Sequence, residues 1–172
     1  MDISNTEKIQ ILNFRRHLHQ CAETAYNEWQ TFDYILETLK NVNGEFSFLK
    51  ESDLTPFLKD IPSCCLYQSK KYKQTPIPAL KLTFKLGTGK HIAIRCDMDG
   101  LPISESCSSE HLPCKLGFRS PKNMHACAHD GHMAICLAVI LWVNANLAQL
   151  QNKGLGALSF IFQGAEEGCR GG

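Results

Sequence analysis

Three short clusters in the sequence carry side chains that can bind metal ions or transfer protons. They are the Asp97–Asp99 segment, the His125–His132 segment and the Glu166–Glu167 pair. A thiolate beside imidazoles suits Zn²⁺ or another borderline divalent ion, and carboxylates can serve as ligands or as bases. The sequence therefore indicates a metal site with a base able to activate water, provided that the fold brings the three clusters together.

The His125–His132 segment has the most unusual composition of the three. Cys127 and His129 are two positions apart, so we expect them to approach one ion only if the backbone bends between them. The small side chains of Ala128 and Gly131 permit such a bend. Helix propensity gives no reason to gather these residue types. The alternative interpretation is a set of histidines at the start of a helix beside an incidental thiol.

The carboxylates extend this chemistry. We expect the adjacent Glu166 and Glu167 to project in different directions, so that one binds a metal while the other takes a proton from a water molecule whose pKa the metal lowers towards about 7. Asp97 and Asp99 are two apart at a strand end and share a face, where one could orient a ligating histidine. The alternatives are an ordinary acidic loop for the glutamates and helix capping or turn formation for the aspartates.

Other cysteines and histidines are weaker candidates. On a predicted helix the two histidines of the sequence His17-Leu18-His19 diverge by about 200°, which disfavours a shared ion. The adjacent pair Cys64–Cys65 lies in an apolar run and is typical of core thiols. A structural zinc site built from Cys107, Cys114 and Cys127 is a third alternative, although it depends on the number of cysteines alone.

A βαβ unit is expected to position the clusters. Its parts are a strand from His91 to Cys96, a long helix from Gly131 to Leu150 that we expect to be buried, and an apolar strand from Leu155 to Phe162. Parallel strands place their carboxyl ends at one edge of the sheet, where functional groups gather in α/β folds. We also predict that the strand from Ala79 to Leu86 forms a hairpin with the strand ending at Cys96.

The rest of the chain supplies further elements around this unit. We expect a helix from Ile3 to His19, with Ile9, Leu12, Arg16 and His19 on one face and the apolar Ile11, Phe14 and Leu18 adding to it, and a second helix from Glu28 to Leu39. The pattern also predicts short strands at 46–48 and 64–67 and an irregular, functional loop from Asp97 to Asn123.

Composition excludes several classes of protein. The chain has 172 residues, which suits one domain, and a formal net charge of +1, which argues against a nucleic-acid binder. No apolar run approaches the roughly 20 residues of a membrane helix, and no secretory signal is visible at the N-terminus, so we expect no membrane association and a cytoplasmic protein. The nine cysteines are then expected to be mostly reduced thiols.

Four segments together resemble a known family, the metal-dependent amidohydrolases that include aminoacylases, hippurate hydrolase, indole-acetyl-amino-acid hydrolase and aminobenzoyl-glutamate hydrolase. The match runs in order along the whole chain. The finer resemblance is to the A-type subunit of aminobenzoyl-glutamate hydrolase. The matching segments are RRHLHQCAETAYNEWQT, IAIRCDMDGLPISE, NMHACAHDGHMAI and FIFQGAEEGCRGG.

The resemblance implies a hydrolase with two divalent ions, zinc or manganese, that cleaves the amide bond of a small N-acyl or N-aroyl amino acid. Cys127, His129 and Glu167 fall on metal ligands of the family, and Glu166 falls on the base that activates water. The resemblance implies that Asp97 and Asp99 line the site but do not bind the metal. We add Asp130 to these site-lining or supporting residues. The implied fold is α/β, an incomplete three-layer α/β/α sheet of a zinc-peptidase-like catalytic domain.

Two kinds of departure from the family pattern stand out. Ala128 and Gly164 replace the usual glycine and proline, which affects fine geometry. Family members are more than twice as long, with further histidine ligands and a lid and dimerisation domain downstream. Residues 1–172 would then be the N-terminal part of a catalytic domain with an open apolar sheet edge, forming a homodimer or heteromer only if the missing domain is supplied. The rival hypothesis is an inactive remnant or a partner-dependent subunit.

Overall fold

The computed structural model describes residues 3–50, 52, 77–151 and 153–167. Helix α1 spans Asn5–Gln20 and α2 spans Trp29–Leu39. Strands β1 (Glu45–Phe48), β2 (Leu80–Lys85) and β3 (Lys90–Asp97) follow. The short helix α3 (Leu112–Lys115) precedes the long helix α4 (His129–Ala145), the short helix α5 (Leu147–Leu150) and strand β4 (Leu155–Gln163). The predicted strand at 64–67 lies outside the described residues.

The four strands form one mixed sheet in the order β1-β2-β4-β3, which confirms the α/β class. Strand β4 pairs in parallel with β3, so the predicted βαβ unit of β3, α4 and β4 is present. Strand β4 also pairs antiparallel with β2, with Leu82 opposite Phe160. The most apolar strand is therefore central, where it has a strand partner along both of its edges.

The predicted hairpin between β2 and β3 is wrong, because β4 lies between them. The turn after β2 stays on β4, where the amides of Leu86 and Gly87 donate to the carbonyl of Gly156 at 2.9 and 3.1 Å. It then passes β4 at very close range, since a Cβ atom on Gly89 would lie 1.8 Å from the carbonyl oxygen of Gly154. The alternating pattern of β2 suits any apolar neighbour, so it could not reveal which strand pairs with it.

The core lies between the helices and one face of the sheet. It includes Phe14 and Leu18 from α1, Leu137 and Ile140 from α4, and the central Phe160. The predicted face of α1 is right in part. Phe14, Leu18 and His19 are buried as expected, whereas Ile9 and Leu12 are 59% and 48% exposed because they lie to one side of this face.

Helix α4 is likewise only partly buried. Ile135 is 60% exposed and Val139 is 37% exposed, because α1 and the sheet cover the other sides of the helix. Ile92 and Ile94 of β3 are also partly exposed at the sheet edge, where β3 has one strand partner among the described residues. No helix in the described part of the chain is long and apolar enough to cross a membrane.

The segment after β3 is irregular, as expected, but it is anchored at both ends and in its middle. Leu101 and Met124 form an isolated bridge that closes its base. Inside, the buried carboxylate of Glu105 accepts hydrogen bonds from the amide of Ser120 at 2.7 Å and from His111 Nε2 at 2.8 Å. The loop is therefore held by the bridge at its base and by one buried carboxylate inside it.

His19 of α1 joins this loop to the start of α4. Its Nε2 lies 2.8 Å from Glu105 Oε1 and its Nδ1 lies 2.9 Å from Asp130 Oδ2, all three side chains being buried. Burial alone would lower the pKa of His19, but the two carboxylate contacts outweigh burial and raise the pKa above its ordinary value. Since ionised carboxylates can only accept hydrogen bonds, His19 is held as an imidazolium that donates from both nitrogens.

Replacing His19 by alanine should destabilise the protein by about 3 kcal/mol, because it leaves two buried carboxylates without the cation between them. Urea denaturation measures the effect. His17→Ala is the matched control, since His17 is exposed and stacks on Tyr34, and it should cost less than about 1 kcal/mol. Equal losses for the two variants would contradict this assignment.

The same contact predicts a pH dependence of stability. A histidine whose pKa is raised on folding contributes its full stabilisation below its unfolded pKa, and this is lost as the pH rises through the folded pKa. The difference in unfolding free energy between the wild type and His19→Ala should therefore be larger at about pH 6 than at about pH 9. Denaturation series at the two pH values provide the measurement, and a difference that grows towards alkaline pH would argue against the charged imidazole.

Candidate metal centre

The parallel pairing of β3 and β4 defines the edge at which the site lies. In the register of the two strands, Asp97 is opposite Gln163, the last residue of β4. The residues that follow each strand, Asp99 on one side and Glu166 and Glu167 on the other, are therefore neighbours. The amide of Glu167 donates to Asp99 Oδ2 at 2.9 Å and ties the two strand ends together.

His129, the first residue of α4, lies at the centre of this edge. Its buried ring donates from Nδ1 to the carbonyl oxygen of Asp99 at 2.8 Å, so Nε2 is turned towards the glutamates. Nε2 lies 3.8 Å from Glu166 Oε2 and 3.9 Å from Glu167 Oε1. One ligand atom from each of these three residues lies within 4.8 Å of the others, which is close enough to share an ion.

The two glutamates therefore converge on one nitrogen, whereas the sequence led us to expect different directions. The reason is the backbone at Ala165, which has a φ of 58° in the left-handed region and turns the chain sharply after β4. The two carboxylates still differ in accessibility. The side chain of Glu166 is 39% exposed and that of Glu167 is 20% exposed.

Cys127 lies beside this group but not within it. The expected bend between Cys127 and His129 is present, since Ala128 has a φ of 61° and caps α4 in the left-handed conformation. A hydrogen bond to Glu167, with smaller effects of burial and nearby carboxylates, raises the pKa of the exposed Cys127 thiol. In the described part of the chain neither compact ligand group includes Cys127, so the structure brings the thiol to Glu167 rather than to His129.

The electrostatics of the site favour a cation. The carboxylate of Asp99, whose buried Oδ1 lies 3.4 Å from His129 Nδ1, raises the pKa of His129 to about 9. The hydrogen bond to the Asp99 carbonyl and the charge of Asp97 add to the effect. The surroundings thus stabilise positive charge at His129, and the imidazole and carboxylate donors are ones that zinc or manganese accepts. The residues present therefore fit a divalent ion both in their negative charge and in the type of their donor atoms.

A second compact group shares His129. Its other members are Asp97 and His132, whose Nδ1 lies 3.8 Å from Asp97 Oδ2. Arg95 donates to Asp97 Oδ1 at 2.5 Å and to Gln163 Oε1 at 2.7 Å, which neutralises part of the charge. His132 is not among the ligands expected from the sequence. His132 follows His129 by three positions on a helix, so the two rings lie side by side on one face of that helix. This spacing is the signal by which His132 could have been found in the sequence.

The other candidate residues named from the sequence belong to neither compact group among the described residues. Asp130 is buried, is absent from both groups and accepts hydrogen bonds from His19 and, at 3.1 Å, from Arg15 Nε. His125 is buried with neither ring nitrogen hydrogen-bonded, and burial lowers its pKa to about 4, so its ring is neutral.

The structural zinc site considered for Cys107, Cys114 and Cys127 is not found among the described residues, since neither metal-ligand group contains Cys107 or Cys114. The Cys114 thiol instead donates a hydrogen bond to the Cys107 carbonyl.

The chain is similar in sequence to a family of known proteins. Residues 93–172 match the family described as Peptidase family M20/M25/M40. The chain is 32% identical to a Haemophilus influenzae homolog of the A-type subunit of p-aminobenzoyl-glutamate hydrolase, over 97% of this chain and 42% of that protein. It is also 32% identical to the N-acyl-L-amino acid amidohydrolase of Geobacillus stearothermophilus, over 96% of this chain and 36% of that protein.

A solved structure agrees with these relatives. A Bacillus subtilis protein described as a dinuclear metal-binding peptidase of the M20 family superimposes with a TM-score of 0.66 and 28% identity, over 96% of this chain and 37% of that one. The chain thus spans less than half the length of the relatives it matches. The sequence matches, the shared fold and the histidine–carboxylate group lead to one conclusion: residues 93–172 match Peptidase family M20/M25/M40, and the chain as a whole is similar to amidohydrolases and to a peptidase of that family.

Proposed function

We propose that this chain supplies part of the active site of a metal-dependent hydrolase that cleaves the amide bond of small N-acyl or N-aroyl amino acids. The observation that carries the proposal is the convergence of His129 Nε2, Glu166 and Glu167 within 4.8 Å. The names of the relatives support the substrate class, since they include an amidohydrolase of N-acyl amino acids and an aminobenzoyl-glutamate hydrolase homolog. Aminobenzoyl-glutamate is accordingly one candidate substrate.

We assign metal binding to Cys127, His129 and Glu167. The Cys127 thiol lies next to Glu167, and loss of its proton would add a thiolate to the donor set. Asp99 orients His129 through the Nδ1 hydrogen bond, which leaves Nε2 free to bind. Two ions, zinc or manganese, are consistent with the dinuclear description of the Bacillus subtilis protein.

Glu166 is assigned as the catalytic base. Of the two glutamates it is the more exposed, so it can reach water and substrate while Glu167 stays against Asp99 and Cys127. A bound divalent ion would supply Lewis acidity and lower the pKa of water at the site. Glu166 would accept the proton of the attacking water and deliver it to the amide nitrogen that leaves, which regenerates the carboxylate.

A second candidate is that this chain is inactive alone, as a remnant or a subunit that depends on a partner. The small number of donors among the described residues favours it. His129 provides the one nitrogen donor of the group with Glu166 and Glu167, and two ions need more ligands than this. In that case a homodimer or heteromer would supply the rest. The relative named as a subunit is compatible with a heteromer.

We also assign the protein to the cytoplasm. The six cysteines that lie in the described residues are all free, including the exposed Cys107 and Cys127. Free exposed thiols are typical of a reducing compartment. The proposed substrate is likewise a small polar metabolite rather than a nucleic acid or a membrane component.

Metal binding should depend on Glu167. The wild type should bind Zn²⁺ or Mn²⁺, and Glu167→Gln should weaken binding by about tenfold or more, because it removes the charge next to His129 and Cys127. Isothermal titration and metal analysis of the purified chain give the affinity and the number of ions. Two ions per chain indicate a competent site, and one weakly bound ion at most indicates a remnant.

Glu110→Gln is the matched control for this measurement, because Glu110 is an exposed carboxylate on the loop after β3. It should leave the affinity unchanged. Equal weakening by the two variants would show that general charge, not the group at His129, attracts the ion.

Hydrolysis distinguishes the two candidates. We expect no robust turnover of aminobenzoyl-glutamate or hippurate by this chain alone with added Mn²⁺ or Zn²⁺, because the donor set is small. Release of the amino acid, followed by chromatography, is the measurement. Turnover that disappears in Glu166→Gln would contradict this expectation and establish the chain as the active hydrolase.

A further inference from the structure

The segment from Arg15 to Glu28 contributes nothing to the ligand groups, yet it contacts all three segments that do. His19 binds Asp130 beside the first residue of α4. The carbonyl oxygen of Glu23 accepts a hydrogen bond of 2.6 Å from the amide of Gly100, directly after Asp99. Glu28 accepts one from the turn after β4. The last contact is the most unusual, because it uses a buried carboxyl group.

Glu28 lies at the N-terminus of α2 and its side chain is entirely buried. Its Oε1 accepts a hydrogen bond of 2.8 Å from the amide of Ala165, whereas Oε2 has no hydrogen-bond partner. No described ion pair includes this carboxyl group, and burial raises its pKa to about 8. Burying an uncompensated carboxyl group lowers stability, so packing alone does not explain a glutamate at this position.

The turn that Glu28 holds determines where the two glutamates of the site lie. Ala165 is buried and left-handed, a conformation that costs an alanine roughly 1–2 kcal/mol. Its neighbour Gly164 approaches Glu28 so closely that a Cβ atom there would lie 3.1 Å from Oε1 and 2.8 Å from the carbonyl of Pro78. The next residues are Glu166 and Glu167, both directed at His129.

We propose that Glu28 is a positioning residue of the metal centre: by holding the amide of Ala165 it fixes the turn that directs Glu166 and Glu167 towards His129. This inference rests on the proposed function, since it concerns the geometry of the same ligands. Glu28 acts through Ala165 and touches neither an ion nor a substrate. Residues that orient ligands in this way typically change metal affinity by roughly 10- to 100-fold when they are replaced.

The conservative variant separates positioning from simple packing. Glu28→Gln keeps a carbonyl oxygen that can accept from Ala165 and matches the size of the protonated acid. We expect it to bind Zn²⁺ with an affinity within about threefold of the wild type. Glu28→Ala removes the acceptor and should weaken Zn²⁺ binding by about tenfold or more. Glu28→Leu, which refills the space without an acceptor, should match alanine and serves if the alanine variant does not fold.

Hydrogen exchange of the Ala165 amide gives a second readout that needs no metal. The amide should be protected in the wild type and in Glu28→Gln, and should exchange at least about tenfold faster in the alanine and leucine variants. Glu23→Gln is the matched control. Its carboxylate caps α2 through the amides of Gln30 and Thr31 and does not reach the turn, so it should leave both readouts unchanged.

Two outcomes overturn the inference, and they can be told apart. If the wild type binds Zn²⁺ and a folded Glu28→Ala or Glu28→Leu protein binds it equally well, the positioning role is wrong while the proposed function stands. If the wild type binds neither Zn²⁺ nor Mn²⁺, the proposed function is wrong and the positioning role is lost with it. Weaker binding in both variants, with rescue by glutamine and faster exchange at Ala165, is the supporting result.

Discussion

The parallel pairing of β3 with β4 is the constraint on which the rest of the site depends. It places Asp97 opposite Gln163, so the chain leaves the sheet at the same edge from both strands. Helix α4 must start at that edge to return antiparallel to the strands, which is why His129 lies between the two strand ends. A shift of this register would separate the aspartates from the glutamates and leave His129 without carboxylate neighbours.

Negative charge at this edge is the second property that links fold to function. Asp97, Asp99, Glu166 and Glu167 lie around the imidazole of His129, and Asp99, with a smaller effect of Asp97, raises the pKa of that imidazole to about 9. Folding this many carboxylates together is unfavourable unless a cation is present. Arg95 is the cation on the exposed side of the cluster, where it forms an ion pair with Asp97. On the buried side, the imidazole of His129 faces the glutamates.

Much of this arrangement could be predicted from the sequence, and the exceptions have physical reasons. The βαβ unit and the clustering at its edge followed from hydrophobic periodicity and the rule for parallel strands. The order of β2, β4 and β3 could not be read, because alternation in β2 fits any apolar partner. The convergence of the glutamates and the role of Glu28 depend on a left-handed alanine and on a hydrogen bond spanning 137 positions, which leave no local pattern.

The two left-handed alanines that flank the centre have a thermodynamic consequence. Ala128 and Ala165 hold the backbone beside His129 and Glu166 in conformations that an unfolded chain rarely visits. Part of the conformational entropy of bringing these side chains together is thus lost during folding. A pocket whose backbone is fixed in this way would discriminate among ions by fixed spacing rather than by adjusting to each of them.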